Sequence, residues 1–119
     1  MDESREWLQK AERDYRTAKV NFEQKIYDAA AFFCQQAAEK GLKAVYIKKF
    51  RVLMKTHDLN FLGGKLKLSR VLREACDELN SYYAETRYPD VQAEFDRETA
   101  AHAIEKAGKV LLWVNEKLL

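Results

Sequence analysis

Apolar residues recur at helical spacing in four stretches of the chain, and no alternating run of strand length interrupts them. The first stretch, about residues 2–23, sets Trp7, Ala11, Tyr15, Ala18 and Phe22 on one face. The second, about 26–49, repeats the pattern with Tyr27, Ala31, Cys34, Ala38, Leu42 and Val45. Its alanines allow a neighbouring backbone to come close, while Phe32 and Phe33 widen the apolar surface. The third, about 66–85, uses Leu68, Leu72, Ala75, Leu79 and Tyr82; the fourth, about 95–118, uses Ala100, Ile104, Ala107, Leu111, Val114 and Leu118. The break from Asn21 to Lys25 is short, so the first two helices run antiparallel. Thr56 is placed to cap a short helical turn over His57 to Leu62, which Gly63-Gly64 then stops. Arg87-Tyr88-Pro89-Asp90 ends the third helix, because proline disfavours α geometry in the residue before it, and Asp96 caps the last. The pattern predicts an all-α fold over 1–119: an antiparallel up-and-down bundle of four main helices plus a short extra helical turn.

Composition removes the competing classes. Four glycines and one proline in 119 residues are too few for a sandwich, a barrel or a disordered chain. No apolar run approaches the roughly 20 residues that span a bilayer, and residues 1–6 lack the apolar stretch of a signal peptide. Cys34 and Cys76 fall in apolar helical surroundings, as reduced core thiols of a cytoplasmic protein do.

The net charge of +2 hides a strong segregation. Residues 1–39 carry six basic and eight acidic side chains, residues 40–73 carry ten and one, and residues 74–119 carry five and ten. The middle segment is therefore +9, a density that attracts polyanions; the competing reading is a solvated face paired with acids of neighbouring helices. No phosphate-binding glycine loop, dinucleotide fingerprint or helical zinc motif occurs. The two histidines and two cysteines lie too far apart for metal-ligand spacing, so neither a metal nor a cofactor is expected.

Five motifs then stand in register: Tyr27-Asp28-Ala29-Ala30-Ala31-Phe32; Gln35-Gln36-Ala37-Ala38-Glu39-Lys40-Gly41-Leu42-Lys43-Ala44; Thr56-His57-Asp58-Leu59; Leu79-Asn80-Ser81-Tyr82-Tyr83; and Arg87-Tyr88-Pro89-Asp90. Their order and spacing resemble the HEPN domain, the higher eukaryote and prokaryote nucleotide-binding domain, over nearly the whole chain. The resemblance implies a helical bundle that dimerises, binds nucleotide or RNA, and works with a small nucleotidyltransferase, often as a toxin–antitoxin pair.

Many members of that family are metal-independent ribonucleases with an Arg-x(4–6)-His motif, which Arg97 and His102 match and which Arg51 and His57 match less favourably by position. Residues five apart on a helix point about 140° apart, so Arg97 and His102 act together only across a dimer. There, histidine would serve as general base or acid at a ribose 2′-OH and arginine would meet the phosphorane charge; the alternative is an ordinary charged surface. The helical wheel puts His102 on the outward face with Lys109 and Trp113, and an outward Leu112/Trp113 surface fits a pure protein-interaction module. His57 reads either as a structural tie to another helix or as a ligand contact. Arg87, with Asn80, Tyr83, Tyr88 and Asp90 close in sequence, is suited to phosphate binding beside a stacking tyrosine, or to pairing with Asp90. Glu39 and Lys40 read as a rim pair, with Lys40 and Lys43 extending a phosphate-binding groove.

Overall fold

The computed structural model describes residues 3–87 and 95–119, except the side chain of Arg87. Five helices follow in order: α1 (Glu3–Glu23), α2 (Tyr27–Phe50), α3 (Leu59–Lys65), α4 (Arg70–Arg87) and α5 (Arg97–Leu118). Among the described residues the fold is all-α, with four long helices and one short one, as the periodicity predicts.

The α1–α2 corner closes without a glycine. Lys25 takes a left-handed backbone (φ 62°), the Ile26 amide donates to the Asn21 carbonyl at 2.9 Å, and the Lys25 amide donates to Phe22 at 3.0 Å. That pair of bonds is the Schellman closure, which satisfies the last carbonyls of α1 and turns the chain back on itself. Helix α2 then runs antiparallel to α1, with Lys40 paired to Asp14.

Helix α2 is the axis of the bundle and packs against each of the other four helices. Its interior residues are mostly small, with Ala30, Ala31, Ala37, Ala38, Ala44 and Cys34 fully buried. This is why its polar and apolar residues do not divide cleanly into two faces: a helix surrounded by neighbours has little outside. Gly41 marks its closest approach to α5, where an added Cβ would sit 2.9 Å from Leu111 Cδ2 and 3.3 Å from Val114 Cγ2. Further along, the Lys48 ammonium reaches the Leu118 carbonyl, so α2 and α5 run parallel across the bundle. Helix α4 returns with Tyr83 beside Phe32, near the start of α2. Leu42, Leu59, Leu62 and Leu79 are fully buried where α2, α3 and α4 meet, each stabilising the fold by about 1.5–3 kcal/mol relative to exposure.

Two element boundaries differ from the sequence reading. Helix α3 is capped by Asp58, not Thr56: Asp58 Oδ1 accepts from the Asn60 and Phe61 amides, while Thr56 Oγ1 accepts from the Asp58 amide one step earlier. His57 therefore lies in the approach to the helix, not in its first turn. Nor do Gly63 and Gly64 stop α3, which runs through both to Lys65. It ends in a second Schellman closure on Lys67 (φ 56°), with the Leu68 amide on the Gly63 carbonyl and the Lys67 amide on Gly64. Gly63 is small because Leu68 folds back on it: a Cβ there would lie 3.3 Å from Leu68 Cδ1. Helix α4 consequently starts at Arg70 rather than about 66. The last helix begins behind Asp96, whose carboxylate accepts from the Thr99 amide at 2.8 Å, as expected.

Candidate functional site

Glutamate, lysine and glutamine at spacing i, i+4 share one helix face, and α2 presents Gln35, Glu39 and Lys43 together toward the 53–58 segment. Glu39 is the centre. Its side chain is only 4% exposed, and its carboxylate faces Lys43 Nζ at 2.9 Å, His57 Nδ1 at 3.0 Å and Gln35 Nε2 at 3.3 Å. Gln35 also donates to the His57 carbonyl at 3.3 Å and accepts from Gln36 at 2.7 Å. A buried charge survives only when its desolvation is offset by good partners, and three donors on one carboxylate meet that condition. Glu39 and Lys40 are thus not the rim pair that adjacency suggests. Consecutive helix positions diverge by 100°, so Glu39 turns inward to Lys43 and His57 while Lys40 turns to Asp14 on α1.

His57 is fixed by this carboxylate. An imidazole that faces a carboxylate through Nδ1 carries its proton there, which leaves Nε2 to accept from or donate to a ligand. One face of the ring stacks on Tyr83 with centroids 4.4 Å apart and 17° between planes. The side chain is nevertheless 59% exposed. His57 makes the structural tie that the sequence allowed and still offers an edge to solvent. Asn80 stands next to it but serves the backbone. Its Oδ1 accepts from the Leu59 amide at 2.7 Å and its Nδ2 donates to Asp58 at 3.2 Å, pinning the start of α3 to α4.

Beside His57 opens a cleft of about 310 Å³, lined by Trp7, Lys43, Leu53, Met54, Lys55 and Thr56 as well as the imidazole. Trp7 forms one wall, with the ammonium groups of Lys10 and Lys43 at 5.3 and 5.6 Å from its ring centroid. Lys43 is buried and neutralised by Glu39, so the exposed Lys55 supplies the mobile positive charge. Apolar walls, one aromatic plate, a fixed imidazole and a cation together suit a small planar anion.

The remaining candidates lie elsewhere. Arg97 sits with its guanidinium 5.2 Å from the Phe22 ring centroid, and His102 is exposed on the next turn of α5. The two do not converge within one chain. Arg87 ends α4, but its side chain, with Tyr88, Pro89 and Asp90, lies outside the described residues. Trp113 is half-buried and packs against the core, so the exposed outward residue of that pair is Leu112 alone. Cys34 and Cys76 are fully buried, which pushes both thiols up to about 12 and leaves no thiolate nucleophile at neutral pH. Among the described residues, no group of His, Cys, Asp and Glu is arranged to hold a metal ion. No helix described is long and apolar enough to cross a membrane.

The HEPN domain model matches residues 4–117. The chain belongs to the HEPN family. Two solved structures share the fold over almost their full length. TT1696 from Thermus thermophilus is 31% identical, with a TM-score of 0.91 over 98% of this chain and 99% of that one. ST0689, an archaeal HEPN homologue, is 26% identical, with a TM-score of 0.80 over 98% of each chain. A comparison with curated proteins finds no match.

Within this HEPN domain, the residues that meet at the cleft are only partly those singled out by motif. Lys43 and His57 line it, and Tyr83 stacks on His57 without lining it, whereas the sequence pattern places Trp7 in the core and Glu39, which holds His57, at the rim. The signal for Trp7 is register: once Asp14 faces Lys40 across the antiparallel α1–α2 pair, one further helical turn or two brings position 7 to Lys43. For Glu39 the signal is the spacing of Gln35, Glu39 and Lys43, three polar residues along a helix otherwise full of alanines.

Proposed function

We propose that this HEPN domain binds a nucleotide or RNA in the cleft between Trp7 and His57, and that it acts as a homodimer. Its further partner is a small nucleotidyltransferase, the two forming a toxin–antitoxin-type pair in the cytoplasm. The observation that carries the binding reading is the convergence of Lys55, the Glu39-held His57 and Trp7 on one cleft. A phosphate meets Lys55 and the imidazole, and a base meets the indole, a combination of charge and stacking that recurs in nucleotide sites. The +9 segment from 40 to 73 adds a field that draws a polyanion toward this end of the bundle. The homodimer and the nucleotidyltransferase rest on the family likeness.

In a Trp113→Phe background, Trp7 becomes the sole tryptophan and its quenching reports ligand. RNA is expected to quench it, with affinity falling steeply between about 50 and 200 mM salt. Lys55→Ala should weaken binding several-fold and lower the salt slope by about 0.7. Failure to bind RNA or any nucleotide at low salt, with and without the nucleotidyltransferase, overturns the binding reading. Co-expressed nucleotidyltransferase that elutes separately overturns the pairing.

A further inference from the structure

Past Trp7 lies a second concavity, of about 510 Å³, between α1 and α2. Its lining includes Lys10, Arg13, Asp14, Phe33 and Lys40, and Trp7 belongs to both hollows. We infer that the two form one groove for a single-stranded nucleic acid of three or more nucleotides, which rests on the nucleotide reading above and gives its ligand a length.

Three features of the groove carry this. The first is reach. Along α2 the lining runs from Phe33 to Lys43, about 15 Å at 1.5 Å per residue. A stacked strand rises about 3.4 Å along its axis per nucleotide, so the groove exceeds what one nucleotide fills.

The second is sign. Asp14 and Glu39 each face a lysine, Lys40 and Lys43, and those two pairs cancel. Lys10, Arg13 and Lys55 then set the groove positive. Lys10 and Arg13 also border a hollow on α1 with Arg16, and Glu6 and Glu12 line that hollow but not the groove. A polyanion is therefore favoured on the inner side, toward α2.

The third is the alternation of rings with cations. Phe33, Trp7 and the His57 imidazole are spread along the groove, with Arg13, Lys10 and Lys55 distributed among them. Single-strand binding surfaces combine these two elements, because every base has a face to stack and every phosphate a charge to meet. A base paired in a duplex cannot turn its face to the rings.

The test is a length series on the intact chain: a mononucleotide, then single strands of two, four and six nucleotides in RNA and DNA form, and a six-base-pair duplex. Affinity is expected to climb about 10-fold or more from one to four nucleotides and then level. Lys10→Ala/Arg13→Ala should flatten the climb to within about 3-fold. A mononucleotide that binds as tightly as the tetranucleotide overturns the groove and leaves the cleft reading standing. A duplex that binds as well as the single strand also overturns it. Binding of no nucleotide at any length overturns both. RNA-only binding supports it with a 2′-OH contact added; equal RNA and DNA affinity supports it as drawn.

Discussion

With 4% of its own side chain exposed, Glu39 stands between a lysine that is 7% exposed and an imidazole that borders the cleft. Removing the carboxylate strands Lys43 as an unpaired buried cation and frees the His57 ring. Glu39→Ala is expected to cost about 3–5 kcal/mol in urea unfolding, the range for breaking a buried pair from one side. A loss below about 1 kcal/mol would show that Lys43 reaches water in the native state. At this scale the sequence is half legible. Lys43 and His57 stand out as charged or titratable residues in a basic segment, but their partner does not. Glu39 and His57 are 18 positions apart, and their meeting depends on the path of the 51–58 chain, which no periodicity describes.

Among the elements, α3 is the one whose limits the sequence conceals. A seven-residue helix has no hydrophobic repeat long enough to read, so its ends rest on cap chemistry alone. Thr56 and Asp58 are both good caps, and Gly63-Gly64 is a good stop; the chain uses Asp58 and ends on Lys67 instead. A left-handed lysine leaves no mark in the residue pattern, whereas glycine does. The long helices are legible because three or more turns of apolar spacing outweigh any single residue, and the Asp96 cap is legible because nothing nearby competes with it. Asp58 serves two helices, holding the Asn60 and Phe61 amides of α3 and the Asn80 side chain of α4. Asp58→Ala should therefore destabilise the fold by about 1–2 kcal/mol. Amide exchange checks its locality: protection should fall first over residues 59–65, and a uniform loss would contradict the local role.

The molecule as a whole buries both of its cysteines, and this gives its stability a dependence on alkaline pH. In the unfolded chain the thiols ionise near 9, whereas burial in the fold pushes both up to about 12. Above pH 9 the unfolded state thus binds fewer protons than the native one, and stability falls as pH rises toward 12. Tyr82, raised by burial and then by Glu78, acts in the same direction. The urea midpoint should drop between about pH 8 and pH 10.5, and Cys34→Ala/Cys76→Ala should shrink that drop. An undiminished drop would show that the thiols are not its source. Near neutrality neither thiol contributes to the slope.

Helix α2 touches every other helix, yet α1 and α4 do not touch each other among the described residues. Opening therefore has a natural order. Either flank can lift from the bundle while the opposite one stays seated, because no contact between them has to break. The middle of α2 has no such freedom, since exposing its amides means parting it from several neighbours at once. In native-state amide exchange, α1 and α4 are therefore expected to open independently of each other, and the middle of α2 only with the whole domain.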